Sequence, residues 1–325
     1  MKLIETGPSG SSIIAQRNRR QVPGLFAHVT YQSTRHEDKG SGGYRETDSP
    51  APPTGRRGVR PDRRRPLRLV HLTDTHLFAD PAGRLLGLTT RHSFEGVLAR
   101  AVTAASAADA AIFTGDLVHD ETAEGYAFLS GRLQELGLPC YCLPGNHDRR
   151  DLMELALGAA AVGHMAIRRL GGWNLILLDS TRLGHEGGHL DPRQLERLDA
   201  WLGEDPAPSL VFLHQHPIPA RSLWIDTMGV DNGEALIAVC DRWPNLKAVV
   251  FGHIHQELQV ARNGYLLLGT PSTCIQFLPG SDDFALDTRT PGYRELLLYP
   301  DGRLETAVVR LPAYPEPLDF AALGY

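Results

Sequence analysis

Cysteine is scarce. Cys140, Cys142, Cys240 and Cys274 are the only four in 325 residues, they form no Cys-x-x-Cys pair, and they sit in apolar segments. That excludes a disulfide scaffold and a closed cysteine zinc site, and leaves buried free thiols in a reducing compartment. Long apolar runs are missing as well. No stretch approaches the roughly 18 residues a transmembrane helix needs. The first residues, MKLIETGPSGSSII, lack a charged segment followed by an apolar one. No secretory signal and no membrane span are therefore expected, and a cytoplasmic location. What is present is ordinary globular material, 42% hydrophobic and 22% charged.

Charge is uneven. Residues 1–66 hold 13 Lys and Arg against 6 Asp and Glu, an excess of +7, so the remainder carries −12 of the −5 total. The stretch SGGYRETDSPAPPTGRRGVRPDRRRP is rich in Gly, Ser, Pro and Arg. It has too little apolar surface to offset its ordering entropy. Residues 1–66 read as a disordered basic arm, and residues 67–325 as the folded domain. RRGVRPDRRR has the charge to touch nucleic acid or anionic lipid; a solvated linker is the favoured reading, as is a start placed too early. The acidic body argues against an extended nucleic-acid surface, so nucleic acid is not expected as a partner. Oligomeric state is open.

From residue 67 apolar runs alternate with helical patterns. RLVHLTD, AAIFTGD, CYCLPGNHD, WNLILLDS, SLVFLHQHP and KAVVFGHIH read as strands. Residues 93–109 and 122–137 read as helices, the first capped by Ser93 and the second ended by Gly137. A short helix follows at 151–159. In DPRQLERLDAWL, Asp191 can cap, Pro192 suits the first turn, and Gln194 can close a capping box. Another helix lies near 232–243. The chain finishes with hairpins turning at Asn263-Gly264 and Asp301-Gly302. This is an α/β pattern, a parallel or mixed sheet covered by helices. The connector 217–232 is long enough to suggest function.

The strand ends carry the chemistry. They read Asp74-Thr75-His76, Gly115-Asp116, Gly145-Asn146-His147-Asp148, His214-Gln215-His216 and Gly252-His253-Ile254-His255. Ligands of open α/β sheets bind outside the carboxyl ends of strands. If 253–255 is extended, both imidazoles point the same way. Carboxylate plus imidazole suits Zn, Mn or Fe. There are too many donors for one ion and enough for two that share a carboxylate, the arrangement that clamps an in-line displacement at phosphorus.

On these five blocks, in this order, the sequence resembles the calcineurin-like metallophosphoesterases. LTDTHLFAD, LPGNHD, GHIHQEL, TPSTCIQF and DTRTPGYR resemble the bacterial class III cyclic nucleotide phosphodiesterases, over roughly residues 67–311. The resemblance implies a four-layer α-β-β-α sandwich of two mixed β-sheets. It implies that Asp74, His76 and His255 hold one metal, that Asp116 bridges, and that Asn146, His214 and His253 hold the other. Relatives often read HHPP where this chain has HQHP, so His216, of the same strand parity, is the alternative to His214. The implied reaction is hydrolysis of 3′,5′-cyclic AMP to 5′-AMP by in-line attack of a metal-bridging hydroxide, with His76, Asp116, Asn146 and His147 facing the substrate. His147 would assist the leaving oxygen as the catalytic residue; otherwise it orients Asn146 or Asp74. Other phosphodiesters (2′,3′-cyclic nucleotides, glycerophosphodiesters, nucleotide-linked lipids) are alternatives, and a nucleic-acid-binding regulator acting through the arm is a further one.

Around these blocks, Asp148 reads as a brace for its turn. Arg149 and Arg150 read as phosphate-attracting or as plain helix-start residues. His71 and His119 read as structural. Trp224 stacks on a purine or packs locally. Ser272, Thr273 and Cys274 are candidates to line the pocket.

Overall fold

Why the apolar runs are continuous in some strands becomes clear once both faces of each strand are followed. The computed structural model describes residues 65–103, 108–158, 162–163 and 165–325. The basic arm lies outside them apart from Arg65 and Pro66. In chain order the elements begin with β1 (Leu67–Leu72), the short hairpin β2 (Arg84–Leu85) and β3 (Leu88–Thr89), α1 (Thr90–Thr103), β4 (Ala110–Thr114), α2 (Ala123–Leu136), β5 (Cys140–Leu143) and α3 (Arg150–Leu157). They continue with β6 (Met165–Leu170), β7 (Trp173–Leu178), α4 (Pro192–Glu204), β8 (Ser209–Leu213), α5 (Leu223–Asp226), α6 (Gly233–Cys240) and β9 (Leu246–Phe251). Two hairpins close the fold, β10 (Leu258–Arg262) with β11 (Tyr265–Gly269), and β12 (Gly292–Leu298) with β13 (Leu304–Arg310).

One sheet has the order β13-β12-β1-β4-β5 and the other β10-β11-β9-β8-β7-β6. The first runs antiparallel from β13 through β12 to β1 and parallel from β1 through β4 to β5; the second has parallel central pairs with an antiparallel pair at each edge. Because strand side chains alternate between faces, a strand buried on both sides feeds two cores. In β4, Ala110 and Ile112 enter the core between the sheets, while Ala111 and Phe113 face α1 and α2. In β8, Leu210 and Phe212 enter the same inter-sheet core, while Val211 and Leu213 face α4 and α6. Three stacked cores mean four layers, helices on sheet on sheet on helices, as the family resemblance implied.

Local signals account for much of the punctuation. Thr122 caps α2 by accepting from the Gly125 N–H at 3.2 Å, and Gly137 ends it at φ 63°. Asn263 and Gly264 both take positive φ, 40° and 89°, which a two-residue hairpin turn of primed type requires. Other expectations need correction. Ser93 does not cap α1. It lies inside the helix, buried, and its hydroxyl donates to the Thr273 carbonyl. Asp191 does cap α4, but Gln194 forms no capping box; its amide clasps the Asp179 backbone with bonds of 2.7 and 2.9 Å. The strand expected to run through His255 stops at Phe251. The reading also missed β6, a sheet edge whose half-exposed residues lack clean alternation, and the β2–β3 hairpin. No helix among the described residues is long and apolar enough to cross a membrane.

Candidate metal centre

Five loops leave the carboxyl ends of β1, β4, β5, β8 and β9 and meet at one rim. Backbone bonds lace them together: Asp74 N–H donates to Gly115 O at 3.0 Å, His76 N–H to Asp116 O at 2.9 Å, and Gly252 N–H to His214 O at 3.1 Å. Nine non-glycine residues among those described have positive φ, and five of them are Asp74 (54°), His76 (42°), Asp116 (50°), His253 (67°) and His255 (48°). Such a backbone is uncommon outside glycine and costs on the order of 1–3 kcal/mol at each position. So the paired imidazoles of 253–255 reach one site because the chain turns sharply at each of them, and not by strand alternation as expected. Close approach needs bare backbone: a Cβ on Gly252 would press into the Thr73 hydroxyl and lie 2.8 Å from Asp74 Oδ2.

The side chains interlock around Asp116. Its Oδ2 lies 3.3 Å from His214 Nε2 and 3.7 Å from His76 Nε2. Its Oδ1 accepts the His147 N–H at 2.9 Å. On one side of Asp116, His76 Nε2 is 3.3 Å from His255 Nε2, which is 3.4 Å from Asp74 Oδ1. On the other, His214 Nε2 is 3.2 Å from Asn146 Oδ1, and the His253 ring is 5.1 Å from the His214 ring. Donor atoms of Asp74, His76 and Asp116 lie within 4.8 Å of one another, and so do those of Asp116, His214 and His253. Asp116 belongs to both groups.

Burial sets the electrostatics. Asp74, His76, Asp116, His214, His253 and His255 are all buried. Burial drives the imidazoles of His76 and His253 well below their usual pKa, with neighbouring imidazoles adding to the effect. For His214 burial acts in the same direction, but the Asp116 carboxylate outweighs it and lifts the pKa to about 9. Burial opposes ionisation of Asp116, yet His214 and His147 hold its carboxyl well below the usual range.

The donors suit bound cations. Buried polar groups normally find partners, yet Asp116 Oδ2 and both ring nitrogens of His253 have no hydrogen-bond partner in the protein. Two imidazoles are anchored through Nδ1, which leaves Nε2 facing the site: His214 Nδ1 bonds the Thr114 carbonyl at 2.6 Å, and His255 Nδ1 bonds the Ile275 carbonyl at 2.9 Å.

Of the residues read from the sequence, Asp74, His76, Asp116, Asn146, His147, His214, His253 and His255 are brought together. His216 lies behind them, stacked on His253 at 5.6 Å with Nε2 3.5 Å from Asp226 Oδ1, and it joins neither donor group. Asp148 braces its loop, accepting from the backbone of Gly145, Leu117 and Val118 and from the Tyr126 hydroxyl. Burial pushes its carboxyl up to about 6. Arg149 and Arg150 pair with Asp151 and Asp179 instead of facing the site. His71 bridges Thr270 and Thr114 deep between the sheets. His119, read as structural, stands at the site: its Nδ1 is 3.1 Å from His76 Nδ1 and its ring stacks on His147 at 5.0 Å. Ser272 donates to the Asp74 carbonyl at 2.8 Å, and Cys274 Sγ lies near the His76 and His255 nitrogens. Sequence reasoning missed Tyr325, whose ring lies 5.6–6.1 Å from those of His76, His147 and His255. Nothing in its spacing marks it.

Residues 67–257 match the family model for calcineurin-like phosphoesterases. The chain is 38% identical over 261 residues to a 3′,5′-cyclic adenosine monophosphate phosphodiesterase, CpdA, of Vibrio vulnificus, covering 80% of this chain and 95% of the relative. It is 39% identical over 261 residues to CpdA of Escherichia coli K12, with the same coverage. A solved dimetal phosphatase from Danio rerio shares the fold, with TM-score 0.56 at 15% identity over 75% of this chain and 98% of that one. The chain belongs to the calcineurin-like phosphoesterase family.

Proposed function

We propose that this chain is a two-metal phosphodiesterase that hydrolyses 3′,5′-cyclic AMP to 5′-AMP. The observation that carries the metal reading is Asp116 Oδ2, a fully buried carboxylate oxygen without a hydrogen-bond partner, flanked by His76 Nε2 and His214 Nε2. Relatives that match nearly their whole length and bear the name of cyclic AMP phosphodiesterase support the substrate. In this reading Asp74, His76 and His255 hold one ion, Asn146, His214 and His253 hold the other, and Asp116 serves both. The nitrogen and oxygen donors suit Fe, Mn or Zn. When bound, such a pair supplies Lewis-acid charge neutralisation and water acidic enough to attack phosphorus near neutral pH.

The chain's own side chains do the rest. The Asn146 amide stands at the edge of the donor set, where its N–H donors meet charge on the phosphoryl oxygens. His147 is half-buried, and its backbone N–H is fixed on Asp116. Its imidazole, stacked on His119 at 5.0 Å, is held where it can give a proton to the departing 3′ oxygen. The acidic body disfavours nucleic acid as substrate.

Turnover of 3′,5′-cyclic AMP, 2′,3′-cyclic AMP and bis(p-nitrophenyl) phosphate by one preparation tests the substrate. Fastest turnover of 3′,5′-cyclic AMP is expected. Strong activity on the synthetic diester with none on 3′,5′-cyclic AMP overturns the substrate and keeps the phosphodiesterase.

A further inference from the structure

Beside the donor cluster stands a wall of aromatic rings. Phe277 stacks on His255 at 4.1 Å with an interplanar angle of 10°. Trp224 meets Phe277 at 4.9 Å and Phe284 at 5.1 Å, both edge to face. Trp224 and Phe284 line a cavity of about 190 Å³ together with Asn146, His147, His253 and Tyr325. Three rings next to a phosphate-directed site make a stacking surface for a flat heterocycle.

Two details say what the wall takes. The first is that a ring already sits on it. Tyr325 packs on Phe277 at 5.4 Å and on Phe284 at 6.0 Å, both at oblique angles. On its other side Tyr325 faces His76, His119 and His147 within 6.2 Å. A nucleotide with its phosphoryl group among the histidines and its base on the wall needs the space this ring fills. The second detail is the Trp224 indole Nε1–H, buried with no acceptor in the protein. An unmet buried donor costs about 1–3 kcal/mol, and a ring nitrogen of a purine is an acceptor of the right kind. The Tyr325 hydroxyl does not accept from it.

We propose that Trp224, Phe277 and Phe284 form the nucleobase seat of this site, and that the Tyr325 ring is its internal occupant, which the nucleotide displaces. The proposal rests on the phosphodiesterase reading and adds to it the group that recognises the base. An occupant lowers apparent affinity by the fraction of molecules in which the seat is free. Removing the Tyr325 ring therefore tightens nucleotide binding. Removing the indole N–H while keeping a ring weakens it for ligands with a base and leaves base-free ligands alone.

The test is calorimetric binding of 5′-AMP and of inorganic phosphate to metal-loaded wild type, Trp224→Phe and Tyr325→Ala, with cyclic AMP turnover alongside. Trp224→Phe is expected to weaken 5′-AMP about threefold to tenfold and to leave phosphate unchanged. Tyr325→Ala is expected to tighten 5′-AMP by about threefold or more. Unchanged 5′-AMP affinity in both variants overturns the proposal. So does equal weakening of 5′-AMP and phosphate by Trp224→Phe, which marks a structural role, or weaker 5′-AMP binding in Tyr325→Ala, which makes Tyr325 a stacking partner. Phe284→Ala, expected to weaken 5′-AMP alone, decides the matter if Trp224→Phe unfolds. Wild type that turns over no cyclic nucleotide fails the functional reading; wild type that does, with the null results above, fails the seat alone.

Discussion

The inter-sheet core and the rim above it are built from the same strands and obey opposite rules. In the core, Ile112 and Phe212 sit in regular strand backbone, wholly buried among apolar neighbours. Two to four residues beyond the strand ends, Asp74, His76, Asp116, His253 and His255 sit in left-handed backbone, and Asp116 Oδ2 and both His253 ring nitrogens are buried without hydrogen-bond partners. The core gains free energy by burying apolar side chains. The rim gives some of that up through backbone strain and desolvated polar atoms. A chain keeps such a rim only where something the protein binds recovers the loss. The difference shows where stability comes from and where chemistry is done.

Mutations should separate the two regions cleanly. Asp116→Ala should give the largest effect: no measurable hydrolysis of cyclic AMP and reduced metal content by elemental analysis, with the circular dichroism of the fold retained. A metal-replete, active Asp116→Ala protein would break the comparison. His147→Ala comes next. It should keep its metals and lose about 10²–10⁴ in kcat, the usual range for a general acid; full-speed turnover would remove His147 from the chemistry. In the core, Phe212→Ala should cost about 3–5 kcal/mol in denaturant unfolding while the folded fraction keeps wild-type kcat. Gly252→Ala tests the boundary between the regions. Its Cβ meets Thr73 and Asp74, so about 1–3 kcal/mol of overpacking should arrive together with weaker metal retention.

The smallest effect concerns pH. His71 is held neutral between the sheets: burial, and then Arg294, lower its pKa from 6.5 to about 3. The unfolded chain binds that proton more tightly, so it takes up more protons than the folded chain between about pH 6.5 and 3. Stability therefore falls as pH drops through that window, by up to about 1.4 kcal/mol per pH unit for this group. Replacing His71 by Gln should make the urea midpoint less steep in pH between 6.5 and 5, although lower overall. An unchanged slope would show that His71 does not carry it.

Legibility followed the same divide. Sheet strands and hairpin turns were readable because continuous apolar runs and turn residues such as Asn263-Gly264 are local signals, while the four layers were expected only from the family resemblance. The identities of Asp74 to His255 were readable because their motifs are local too. The backbone that aims them was not. His253 and His255 suggested an extended pair, and positive φ at both is forced by tertiary contacts that spacing does not encode. His214 and His216 looked equivalent by strand parity, and only the loop beyond β8 separates them, turning His216 towards Asp226. Ser93 and Gln194 looked like caps because their side chains suit caps; each was taken by a partner from elsewhere, Thr273 or Asp179. His119 and Tyr325 carry no motif and reach the site through long-range packing alone.

In the proposed centre, side chains from five loops hold two cations that share Asp116. Elemental analysis of the purified chain, with Asp116→Ala beside it, tests it most directly. Two transition-metal ions per wild-type chain and clearly fewer in the variant are predicted. Equal metal content in the two proteins, or none in a wild type that hydrolyses cyclic AMP at full rate, would contradict it.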